Sequence, residues 1–161
     1  MHIWTIDNWK SNYDLTDINH RTGVRLKCEK NVDIEVKRAC KEFLSWLRKK
    51  YFFPIRVPVY IKAAKQIKAV DGKMVSATCF LPFNMHEEPY IRISAGDYQE
   101  IKEEIGKDNA LAAILGSVAH ELTHYFQWVN GLELTQRGEE RQALNYVKVI
   151  LDEYAETRDH P

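Results

Sequence analysis

Apolar residues recur along this chain in two rhythms, one of period two and one of three to four. In "GVRLKCE" (23–29) Val24, Leu26 and Cys28 alternate with polar neighbours, which predicts a short strand. Val36, Cys40, Phe43, Leu47 and Tyr51 then recur at three- and four-residue steps. They predict one helix, capped by Asn31 or Asp33 and running to about Tyr51. Pro54 and Pro58 punctuate its exit. "VPVYIKA" and "MVSATCFL" alternate again, and Asp71-Gly72 between them suits a tight hairpin turn. "YIRIS" (90–94) predicts a further strand after Pro89.

Everything after Asp108 reads as helix. Leu111, Leu115, Val118, Leu122, Phe126 and Val129 define the core face of a helix over 109–130, with Asp108 as its cap and Asn130-Gly131 as its stop. Ala143, Val147, Ile150, Leu151 and Tyr154 define the buried face of the next. The order predicts an α+β fold: a small, mostly antiparallel or mixed sheet backed by helices. Residues 1–20, with Trp4, Trp9 and Tyr13 among polar neighbours, follow neither rhythm.

Composition narrows the classes. A chain of 161 residues with 45% apolar content can bury one core, so a single domain over 1–161 is expected. Lys plus Arg and Asp plus Glu both total 23. A balanced charge without a long basic run argues against nucleic acid or an anionic membrane as the main partner. No apolar run reaches bilayer length, and the start lacks a basic stretch followed by an apolar one. Cys28, Cys40 and Cys79 are an odd number at wide spacing, expected as buried free thiols. Together these features predict a cytoplasmic protein.

The candidate chemistry lies in "VAHELTHYFQWVNG" (118–131), where His120, Glu121 and His124 spell H-E-x-x-H. Histidines one helical turn apart lie one above the other, so both can reach one Zn²⁺ at about 2.0–2.1 Å. Glu121 sits beside them without having to ligate, and is placed to take a proton from water that the ion acidifies. The bare pattern also arises by chance, in roughly one chain in a few hundred. Here it falls mid-helix, with the small residues Ala113, Gly116 and Ser117 preceding it on the histidine side.

A catalytic zinc site usually takes a third protein ligand. The longer H-E-x-x-H-x-x-G-x-x-H pattern fails, because Gln127 and Asn130 occupy its Gly and final His positions. The candidates are then carboxylates on the following helix, Glu139, Glu140, Asp152 and Glu153 with Glu156 more distant, and His160 near the end. Extending that helix's apolar stripe back three residues lands on Glu140, and a carboxylate on a core face demands a partner. Glu140 is therefore the preferred ligand. Glu139 next to it suits a helix N-terminus, where negative charge is favoured.

"HELTHYFQ" followed by "ERQA", with Glu140 sixteen positions after His124, resembles the compact gluzincin metallopeptidases. These carry H-E-x-x-H on one helix and a ligand Glu in E-x-x-A on the next. The resemblance covers about residues 89–155. It implies Zn²⁺ held by His120, His124 and Glu140, Glu121 as general base, and a peptide or protein as substrate. It also implies that the edge strand over the site, expected at "YIRIS", takes up an extended peptide. Many such enzymes follow E-x-x-A with Asp or Asn, which steadies a ligand histidine; here Leu144 stands there and Asn145 follows. Tyr146, Tyr154, Arg141 and His160 are open candidates to stabilise a tetrahedral intermediate. Trp128 is expected in packing, and His2, His20 and His86 in surface or capping roles. The alternative to a peptidase is a metal-binding regulatory or sensor protein on the same scaffold.

Overall fold

The computed structural model describes residues 1–11, 21–84 and 86–157. The fold is α+β. Strand β1 (Val24–Cys28) leads into helix α1 (Ile34–Lys50) and back to β2 (Val57–Lys62). The two strands pair in parallel, Val24 beside Val57 through Cys28 beside Ile61. Asp33 starts α1, its side chain accepting the Glu35 N–H at 2.8 Å. The whole expected stripe from Val36 to Tyr51 is buried.

Strands β3 (Ile67–Lys68) and β4 (Met74–Val75) form a two-stranded ribbon, followed by β5 (Ala77–Phe80) and β6 (Tyr90–Ser94). The main sheet runs β1-β2-β6-β5. β6 is parallel to β2 and antiparallel to β5, so the sheet is mixed. Two expectations change here. The turn at Asp71-Gly72 exists, with Gly72 at φ +88°, but it closes the small β3–β4 ribbon rather than joining β2 to β5. β6 then inserts between those two strands, so "YIRIS" is internal and β5 is the edge. A parallel neighbour reached through a long connection leaves no local mark in the sequence.

Helix α2 (Tyr98–Ile105) was hidden in a stretch without clear periodicity. Gly106 ends it and directly begins α3 (Lys107–Val129); at φ +90° it turns the chain between helices with no linker. Asp108 thus lies in the first turn of α3 and is not its cap. At the other end Gly131 adopts φ +62°, the expected left-handed stop. Helix α4 (Gln136–Thr157) follows.

Helix α3 is buried on more than the expected face: Ala110, Ile114, Ala119 and Tyr125 are enclosed as well as Leu115, Val118, Leu122, Phe126 and Val129. It packs between α4, the sheet and α1. The N-terminal segment closes its far side. Ile3, Trp4 and Trp9 are buried, and the Trp4 indole N–H donates to Thr123 Oγ1 at 3.2 Å and stacks on Phe126. Among the described residues no helix is long and apolar enough to cross a membrane.

Candidate metal centre

Three side chains from two helices converge. His120 and His124 stand one turn apart on α3, their ring centroids 5.0 Å from each other. Glu140, in the second turn of α4, reaches across to both. Its Oε2 lies 3.2 Å from His120 Nε2 and its Oε1 lies 2.9 Å from His124 Nε2. One donor atom from each residue falls within 4.8 Å of the other two. Donors bound tetrahedrally to one zinc at 2.0–2.1 Å would stand about 3.3 Å apart, so the pocket is already near the right size. Two imidazole nitrogens and a carboxylate oxygen also suit a borderline divalent ion.

The hydrogen bonding of His124 sharpens this. Its Nδ1 lies 2.8 Å from Gln127 Oε1, so Nδ1 carries the proton and donates. The Gln127 amide is itself fixed by donating to Glu139 O at 3.0 Å and Gln142 Oε1 at 2.9 Å. In the neutral ring, Nε2 is then a bare acceptor facing a carboxylate oxygen. Two acceptors that close repel each other unless they share a cation, either a second ring proton or a metal ion.

Of the carboxylates considered, Glu140 is the one that the structure brings to the two histidines, although its setting differs from the expected one. Glu140 does not lie on the core face: 54% of its side chain is exposed, at the rim between the two helices. Ala143, one turn on, is fully buried and lets α4 approach α3. The helices are also close at Gly116, where a Cβ would lie 3.2 Å from Val147 Cγ1.

The competing carboxylates stand elsewhere. The Glu139 backbone carbonyl accepts from Gln127, while Asp152 and Glu156 are exposed. Glu153 is bound on the far side of α4 by Tyr51, Lys50 and His2. His160 and His20 lie outside the described residues, and His86 is exposed. Among the candidates for stabilising an intermediate, the Tyr146 hydroxyl accepts the Ile3 N–H and donates to Met1 O. Tyr154 packs on Phe43 and Trp46, and Arg141 points to solvent. Trp128 donates its indole N–H to Pro82 O at 2.9 Å.

Glu121 is 8% exposed and lies beside the triad. Burial pushes its carboxyl upward, opposed by a hydrogen bond from the Cys79 thiol and by the charges of His120 and His124. Burial, with Glu121 beside it, holds that thiol well above the ordinary range, so it stays protonated and donates. Cys28, Cys40 and Cys79 are all free, with Cys40 fully enclosed.

His120 and Glu121 open onto a cavity of about 370 Å³ whose other walls are Ala77, Ala112, Ala113, Gly116, Ser117 and Val147. A second cavity of about 320 Å³ flanks His124, between Trp128, Leu81, Leu132 and Glu139. Both include residues from β5 or the loop just after it. The triad therefore sits between two recesses along one sheet edge.

Gln127 and Cys79 were not picked out from the sequence. Gln127 had a signal, since it stands three residues after His124 on the same helix; Cys79 had none, because only the sheet register turns it toward Glu121. Comparison with known proteins finds no matching family, no matching curated protein and no matching solved structure.

Proposed function

We propose that this chain is a zinc-dependent peptidase of the compact gluzincin kind, with His120, His124 and Glu140 as ligands and Glu121 as general base. The observation that carries the reading is the convergence of both Nε2 atoms on one Glu140 carboxylate, at 3.2 and 2.9 Å, beside a buried glutamate. A zinc ion bound there supplies Lewis acidity, polarising a peptide carbonyl and acidifying water.

The chain's own residues do the rest. Gln127 holds His124 with Nε2 toward the site. Glu121, raised by burial, is suited to accept a proton from water and pass it to the leaving amine. Cys79 donates to the Glu121 carboxylate and orients it. β5, the free edge beside the cavity, takes the peptide-pairing role first expected for "YIRIS". The intact, buried Glu121 favours a peptidase over a metal-binding sensor, since binding alone needs no such group.

The test is hydrolysis of a quenched-fluorescent peptide library by the zinc-loaded protein. Wild type is expected to cleave some members, and Glu121→Gln to keep the metal and lose at least a hundredfold in rate. Activity retained within a few-fold in Glu121→Gln would remove the glutamate from its role.

A further inference from the structure

The two recesses beside the metal centre differ in chemistry. The larger, about 370 Å³, has no charged residue in its walls beyond His120 and Glu121 themselves. The smaller, about 320 Å³, lies beside His124 and is walled by Leu81, Trp128, Leu132 and Glu139. Its two leucines and its indole are half-buried. The indole N–H donates to Pro82 O at 2.9 Å, which makes the ring a fixed wall.

The polar side chains of the smaller recess are engaged, with one exception. His124 donates from Nδ1 to Gln127 Oε1 and turns Nε2 toward Glu140. The Gln127 amide donates to Glu139 O and to Gln142 Oε1. The Glu139 carboxylate has neither an ion pair nor a hydrogen bond among the described residues. It is half-buried, and its charge reaches the Cys79 thiol across the site. An aromatic wall, apolar flanks and one unused carboxylate suit a side chain with an apolar stem and a cationic head. A purely apolar side chain would leave the carboxylate unused, and an acidic one would be repelled.

Strand β5 supplies the direction. It starts at Ala77 beside the larger recess, meets Glu121 at Cys79, and ends just before Leu81 at the smaller one. Its outer edge is free, and antiparallel pairing is the more stable way to add a strand. A peptide laid there runs from the Trp128 recess to the Ala113 recess. The Trp128 recess therefore takes a residue on the amino side of the scissile bond.

We infer that the substrate is a basic peptide, recognised by a lysine or arginine on the amino side of the scissile bond, with its stem on Trp128 and its charge at Glu139. The inference rests on the peptidase reading and makes Glu139 a specificity residue rather than a ligand.

The experiment has a binding arm and a cleavage arm. In the first, the zinc-loaded Glu121→Gln variant is titrated with labelled octapeptides of alanine and serine. These carry arginine, norleucine or glutamate at the fourth position, and anisotropy reports binding. Arginine is expected to bind about fivefold more tightly than norleucine, from one exposed ion pair and one cation–π contact. Glu139→Gln in the same background should erase that difference. Glu139→Lys should turn the preference toward glutamate, a gain that a misfolded chain could not show. In the second arm, zinc-loaded wild type cuts a random peptide library and mass spectrometry reads the sites. Lysine or arginine is expected within two residues on the amino side of the cut.

Equal binding of arginine and norleucine would overturn the inference, as would an arginine preference that survives Glu139→Gln. Cleavage without a basic residue on the amino side would overturn it too, and would leave the peptidase reading standing. Arginine-selective binding with no peptide cut would instead sink the peptidase reading and uphold the preference of the recess.

Discussion

The imidazole of His124 donates from Nδ1 to the amide oxygen of Gln127 at 2.8 Å, and the same amide donates to two acceptors on α4. One buried glutamine thus fixes the tautomer of one donor and links the two helices that carry all three. Gln127→Leu should leave the fold intact and weaken zinc binding about 10–100-fold, the usual effect of losing a residue that steadies a ligand histidine. Competition against a chromophoric chelator measures it. Unchanged affinity would mean that His124 is held by its helix alone.

The ligand register separates two adjacent residues. Glu140 touches both histidines, whereas Glu139 takes part near the site through its backbone carbonyl. Glu140→Ala should weaken zinc binding at least 10–100-fold. Glu139→Ala keeps the carbonyl and should shift it by less than about threefold, matching the few tenths of a kcal/mol of a carboxylate near a helix start. Isothermal titration of the two variants decides between them.

Gly116 sets how closely the two helices meet. A Cβ there would lie 3.2 Å from Val147 Cγ1 and 3.7 Å from Leu151 Cδ1. Gly116→Leu should therefore overpack the contact and destabilise the fold by about 1–3 kcal/mol in urea denaturation. It should also weaken metal binding by moving Glu140 away from the histidines. A neutral result would show that the helices can separate freely.

Glu35 gives the clearest pH dependence. Hydrogen bonds from Lys102 (2.7 Å) and then Lys107 (3.1 Å) pull its carboxyl down to about 2, tying α1 to α2 and α3. A depressed carboxylate stabilises the fold fully above its unfolded pKa of about 4.3, and that contribution is lost as pH falls toward the folded value. Thermal melts of wild type and Glu35→Gln should therefore differ at pH 6 and converge toward pH 2. A gap that widens on acidification would contradict the sign.

The sequence displayed some of this directly and concealed the rest for physical reasons. Helices α1, α3 and α4 declare themselves because one face of each meets the core. Helix α2 does not, since only Tyr98 of its eight residues is buried. The strand order was illegible because Asp71-Gly72 announces a turn without saying how large a ribbon it closes. Glu140 could be placed by its spacing, but its exposed rim position could not. The contacts of Cys79 emerge only once the register of β5 and β6 is known.

Elemental analysis of protein purified without added metal tests the central claim most directly. About one zinc per chain is expected in wild type, as for a three-ligand protein site, and far less in His120→Ala purified alongside it. A folded wild-type chain that carries no zinc and takes up none on titration would contradict the metal centre.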